Sequence, residues 1–238
     1  MIRLLLLLLA LAAPVSAHEG AVPAFAPRLG ATLPDLALAA EDGQAVTLRA
    51  ALGGRPTVLL FGLMDCDNLC DLSEDAAATA LDATGLGPGE AGALFVSLDP
   101  REGVPEAQAA RERLHPGPAW AFLTGPNGAG LARAAGMELV ADEDAHPLAL
   151  LVLTPEGTLS RVLPGLDVQP RDLRLALVEA AGGRIGTLSD RITLLCSGFD
   201  DATGRYTPLI HRLVQAGVVV TVLTLGALML LLERGRRT

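Results

Sequence analysis

The sequence is most informative at residues 57–72, which read TVLLFGLMDCDNLCDL. The first six of these, 57–62, form a short apolar run that is typical of a strand buried on both faces. Two cysteines, Cys66 and Cys70, follow almost at once, and the alanine-rich stretch after them predicts a helix over 72–84. A buried strand that leads through a short loop into a helix is typical of a layered α/β domain.

The same alternation continues to the end of the predicted domain, 34–184. Turn signals at 41–43 (EDG) and 155–157 (PEG) each predict a hairpin between flanking strands. Further strands are predicted over 93–98, 119–123, 148–153 and 158–163, and further helices over 105–114, 129–135 and 170–181. The expected fold class is therefore α/β, with helices flanking one sheet.

The N-terminus has the pattern of a secretory signal peptide. Arg3 precedes an apolar run, and the small residues Val15-Ser16-Ala17 form a cleavage site, so we predict a signal peptide over 1–17. An uncleaved anchor is the alternative. Residues 18–33 are rich in Ala, Pro and Gly and are predicted to be a linker.

Near the C-terminus, residues 212–233 are almost entirely apolar and are followed by a basic tail. About 20 such residues suffice to cross a bilayer as a helix, and a basic flank favours the cytoplasmic side. We therefore expect a C-terminal transmembrane helix preceded by a juxtamembrane extension over 185–211, with a buried core helix as the alternative. This predicts a single-pass protein of the inner (cytoplasmic) membrane whose globular domain is periplasmic.

Charge and cysteine content exclude two classes of protein. The 238 residues carry a net charge of −9, which argues against nucleic-acid binding because phosphate contacts need a basic surface. Three cysteines in an oxidising compartment allow only one intramolecular disulfide, so a disulfide-based scaffold does not fit.

Cys66 and Cys70 lie where a strand passes into a helix, a place where ligand sites collect in α/β sheets. The free amides at the start of a helix favour thiolate over thiol. Two thiolates suit Cu(I) and also zinc, and they can equally cycle as a disulfide. A structural disulfide or inert core cysteines remain alternatives from spacing alone. His146, which precedes a predicted strand, gains importance only as a third ligand for this pair.

Three parts of the chain resemble the Sco/SenC family of copper chaperones. These are the strand LLFG at 59–62 leading into the cysteine motif, VSLDPRE at 96–102, and His146 followed by LALLVLTPEG at 148–157. The resemblance implies a thioredoxin-like fold with a mixed sheet and copper bound by Cys66, Cys70 and His146. It also implies that the protein assists assembly of the copper centre of a terminal (cytochrome c) oxidase, with the copper-bearing oxidase subunit or another copper protein as its partner.

The main hypothesis is thus a metal carrier rather than an enzyme. The alternative is a thiol–disulfide oxidoreductase that reduces cysteines of an apo-metalloprotein, in which Cys66 attacks and Cys70 resolves the mixed disulfide. A copper-sensing or redox-signalling module is a third class. We expect a reversible bond between Cys66 and Cys70 that leaves Cys196 free, although Cys196 could also act as a third redox partner or a relay ligand. His18 and His211 are weaker candidates for copper binding.

Overall fold

The computed structural model describes residues 25–65, 69–139, 147–165, 167–182, 184, 186–200, 204–208 and 218–224. Its secondary-structure elements alternate as the sequence predicts. In chain order they are β1 (Ala37–Ala40), β2 (Ala45–Thr47), α1 (Leu48–Leu52), β3 (Thr57–Gly62), α2 (Leu69–Ala83), β4 (Gly92–Ser97), α3 (Val104–Leu114), β5 (Trp120–Thr124), α4 (Gly128–Ala135), β6 (Ala149–Leu153), β7 (Leu159–Pro164), α5 (Pro170–Ala180), α6 (Leu188–Cys196), β8 (Ser197–Asp200) and β9 (Arg205–Pro208).

The first seven strands form one mixed sheet in the order β2-β1-β5-β4-β3-β6-β7. The central strands β3, β4 and β5 are parallel, whereas the outer strands pair antiparallel with their neighbours. The continuous apolar runs predicted for β3 and β4 fit this arrangement, because every residue of both strands is buried. The predicted α/β class is therefore confirmed.

Side chains of β3 alternate between two cores, one on each face of the sheet. Val58 and Leu60 belong to the core that α2, α3 and α5 cover. Leu59 and Phe61 point to the opposite core, which α1 and α4 cover. The sheet is thus buried between two helical layers.

Helix α1, which the sequence analysis did not predict, is short because its two ends are defined locally. The Thr47 hydroxyl accepts the Ala50 N–H at 3.3 Å at its start. Gly53 ends it in the left-handed conformation, with φ of 58°. Five residues between such caps carry too little periodicity to be recognised in a sequence.

The segment 185–211, predicted as an extension, contains α6 and a hairpin of β8 and β9 that docks on the domain. Tyr206 is 5% exposed and belongs to the core under α5. Its hydroxyl donates to Glu179 on α5 at 2.5 Å, and Phe199 packs edge-on against its ring at 4.9 Å. The pKa of Tyr206 is raised far above its ordinary value, mainly by burial and to a lesser extent by the hydrogen bond to Glu179.

The predicted C-terminal transmembrane helix is not supported by the structure, and that part of the fold prediction is wrong. No helix in the described ranges is long and apolar enough to span a bilayer. Within the predicted span, 212–233, the described helix covers residues 218–224, and the remainder lies outside the described residues.

Candidate metal centre

The cysteine motif begins where the central sheet ends. The last rung between the parallel strands β3 and β4 is the Leu98 N–H, which donates to the Gly62 carbonyl at 2.8 Å. Beyond Gly62 the chain leaves the sheet through residues 63–65, and α2 begins at Leu69. The candidate site thus lies at the carboxyl ends of the parallel strands, where ligands bind in open α/β sheets.

A carboxylate holds the backbone at this exit. Glu102 accepts the Met64 N–H at 2.9 Å and 3.0 Å, one distance for each carboxylate oxygen, and the Asp65 N–H at 3.1 Å. The Ser97 hydroxyl, from the fully buried end of β4, donates to the same carboxylate. Glu102 therefore continues the hydrogen bonding of the sheet past its last rung.

On α3, Arg113 reaches the same segment and donates to the Met64 carbonyl at 2.8 Å. Both backbone polar groups of Met64 are thereby bonded to charged side chains, which form stronger hydrogen bonds than neutral ones. We call Glu102, Ser97 and Arg113 the exit clamp.

An open cleft of about 400 Å³ lies beside the exit clamp. It is lined by Leu63, Asp65, Asp99, Arg101, Glu102 and Glu106. Hydrogen bonds from Arg101 hold the pKa of Asp99 below its ordinary value, and the Gly103 N–H lowers the pKa of Glu106. Both carboxylates therefore stay ionised at neutral pH, and the cleft is acidic.

The structure places the predicted ligands only in part. Cys66 and His146 lie outside the described residues. Cys70 lies in the first turn of α2, but its side chain is outside the described part. Over the described ranges, no three His, Cys, Asp or Glu residues group closely enough to hold a metal ion. The ligand set therefore stays a prediction.

The topology nevertheless brings the chain neighbours of the predicted ligands to one end of the sheet. Strand β6 runs antiparallel to β3, with Leu151 opposite Leu59. Continuing this register puts the start of β6, and Pro147 before it, at the end of β3 from which Asp65 leaves. Glu74, one helical turn after Cys70 on α2, is a buried carboxyl group, 3% exposed.

The structure describes one of the other candidates, Cys196, and one further histidine, His115. Cys196 is the last residue of α6, directly before β8, and His115 ends α3 with a left-handed φ of 45°. His18 and His211 lie outside the described residues. Glu102 is the last residue of VSLDPRE, and its type and position after a turn do not indicate a role. No sequence pattern could have indicated the role of Glu102, because only the tertiary structure brings it close to Met64.

Comparisons with solved structures support the fold. A candidate electron transfer protein from Aquifex aeolicus VF5 is 19% identical, with a TM-score of 0.60, over 66% of this chain and 96% of that one. Arabidopsis thaliana ScoI, solved with copper bound, is 24% identical, with a TM-score of 0.54, and the match covers 63% of this chain and 98% of ScoI. BsSco is a member of the Sco family of cytochrome c oxidase assembly proteins, and a disulfide switch was identified in it. It is 16% identical, with a TM-score of 0.55, and the match covers 67% of this chain and 98% of BsSco. These likenesses confirm the thioredoxin-like mixed α/β fold.

A comparison with curated protein sequences gave no match. The SCO1/SenC family model, in contrast, matches residues 29–171. This range is more than half of the chain, and it contains the cysteine motif, the exit clamp and His146. The chain belongs to the SCO1/SenC family.

Proposed function

We propose that this protein binds copper outside the cytoplasm and assists assembly of the copper centre of a cytochrome c oxidase. The observation that carries the proposal is the family match over 29–171, which includes all three motifs of the predicted site. Copper is present in the structure of Arabidopsis ScoI, and BsSco belongs to a family of oxidase assembly proteins. The copper-bearing subunit of the oxidase is the partner that this role requires.

In this proposal Cys66, Cys70 and His146 bind the copper as cargo. Two thiolates and one imidazole form a soft three-coordinate set that suits Cu(I). The antiparallel pairing of β3 and β6 supports this set, because the same register, continued, would bring Asp65 and Pro147 to one end of the sheet. The positive end of α2 also favours the thiolate form of Cys70.

The location rests on the signal-peptide pattern of 1–17, which lies outside the described residues. We expect a phosphatase that is active only outside the cytoplasm to be active when fused after residue 208. An inactive fusion, with the protein expressed, would contradict the location.

His146→Ala tests the copper site directly. It removes the nitrogen ligand and leaves both thiols, so copper affinity of the reduced full chain should fall at least tenfold, about 1.4 kcal/mol. The measurement is competition against a calibrated copper chelator, paired with oxidase assembly in a strain that carries the substitution.

The matched control is His115→Asn, because His115 is exposed at the end of α3 and Asn tolerates its left-handed backbone. This variant should bind copper like the wild type. Unchanged affinity in His146→Ala together with normal oxidase assembly would defeat the carrier role.

A thiol–disulfide oxidoreductase is the second candidate, favoured by the position of Cys70 at the start of α2. The Cys66 thiolate would attack a target disulfide and release one target thiolate, which takes up a proton. The Cys70 thiolate would then displace the second target thiolate, so that the target is reduced and Cys66–Cys70 is oxidised. Normal oxidase assembly in His146→Ala despite lost copper affinity would favour this reaction.

A further inference from the structure

The exit clamp is built around one side chain that the family's copper chemistry does not by itself explain. Glu102 lies five residues after Ser97, beyond the end of β4, yet its carboxylate bonds to the chain that leaves β3. It accepts the backbone N–H groups of Met64 and Asp65, the last two residues before the cysteine motif. Among the described residues, the β3–β4 hydrogen bonds have already ended at Gly62 and Leu98, and the β3–β6 register ends at Leu59 and Leu151.

The chemistry of an ionised carboxylate suits this task. Its two oxygens only accept hydrogen bonds, and here they face three donors from two separate parts of the chain. Arg113 fixes the same residue from the other side through the Met64 carbonyl. The peptide planes on both sides of Met64 therefore have a defined orientation, and the chain leaves this fixed segment at Asp65, one residue before Cys66.

We propose that Glu102 is a positioning residue for the motif cysteines: by fixing the Met64–Asp65 backbone it sets where Cys66 is presented beyond β3. The inference rests on the proposed function for its copper readout. Its redox readout does not, because the Cys66–Cys70 thiol–disulfide equilibrium exists with or without copper.

The test compares the wild-type full chain with Glu102→Gln. Glutamine keeps the shape of the side chain but turns one accepting oxygen into an NH₂ group, which then faces backbone donors. We expect copper affinity to fall about tenfold and the Cys66–Cys70 equilibrium with glutathione to shift at least threefold. The control is Glu112→Gln, an exposed carboxylate on α3, which should change neither.

A second variant keeps the test decisive if Glu102→Gln does not fold. Ser97→Ala removes one donor to the Glu102 carboxylate, and with it the hydroxyl that accepts the Asp99 N–H at 3.1 Å. The bonds from the Met64 and Asp65 N–H groups to Glu102 stay in place, so the same two quantities should move in the same direction by a smaller factor, about threefold. A wild type that binds no copper would refute the proposed function, and Glu102 would then be judged from the glutathione equilibrium alone. Folded variants with wild-type affinity and wild-type equilibrium would overturn the positioning role.

Discussion

The exit clamp and the C-terminal hairpin are both held by side chains from distant elements, but by different forces. At the clamp, Glu102 and Arg113 bond to backbone groups of Met64 beside an open acidic cleft. In the hairpin, Tyr206 is buried in the main core, and one hydroxyl group accompanies its apolar ring. The hairpin also lies beyond the range that the family model matches.

This difference separates stability from positioning. Burial of apolar surface is non-directional and contributes strongly to the free energy of unfolding. Hydrogen bonds to charged groups contribute less in net stability but impose a direction on the groups they join. Changes in the hairpin should therefore cost stability and spare copper binding, and changes in the clamp should do the reverse.

Tyr206→Ala should have the largest effect on stability. It removes a buried aromatic ring together with its contacts to Phe199, at a cost of about 3–5 kcal/mol. Chemical denaturation of the full chain would measure this loss, and chelator competition on the folded fraction should show unchanged copper affinity. A tenfold fall in affinity without loss of stability would break the comparison.

An intermediate effect is expected from the ion pair that ties α6 to α5. Arg174 bonds Asp190 at 2.8 Å and, with the Thr187 N–H, lowers the pKa of Asp190 from 3.8 to about 2. Because the folded state has the lower pKa, this stabilisation is fully present above about pH 4 and is lost as the pH falls towards 2.

Urea midpoints at pH 5 and pH 2.5 would measure this dependence. Asp190→Asn should already be less stable than wild type at pH 5, and its midpoint should change less between the two pH values. Identical pH dependence in both proteins would show that the pair does not act in this way.

Tyr206→Phe should have the smallest effect and sharpens the comparison. It keeps the ring and removes the hydroxyl that donates to Glu179, which remains paired with Arg161 at 2.6 Å. The expected cost is about 1 kcal/mol in denaturation experiments. A loss as large as that of Tyr206→Ala would mean that the hydrogen bond, rather than apolar burial, holds the hairpin.

The large elements could be located from the sequence because their signals are local. Strand β3 was predicted over the same six residues. The other predicted strands, and the predicted helices that flank the sheet, begin and end within about three residues of their predicted bounds. The short α1 and the hairpin of β8 and β9 were missed, since neither is periodic for long enough. The predicted membrane helix was wrong, because no helix among the described residues is long and apolar enough to span a bilayer.

The candidate site divides in the same way. Cys66, Cys70 and His146 could be predicted as ligands from the motifs and the family resemblance, because two thiolates and an imidazole suit copper. Glu102 and Arg113 could not, because their role depends on the approach of the chain beyond β4 to the chain beyond β3.

The sequence by itself determined the α/β alternation, the order of the motifs and the family, since each is encoded by residues close together in the chain. Only the tertiary structure decided that Glu102 takes over the hydrogen bonding of the sheet at the cysteine motif. It also decided that the C-terminal hairpin packs into the main core through Tyr206. Both are contacts between distant segments, and their geometry exists only after the sheet has formed.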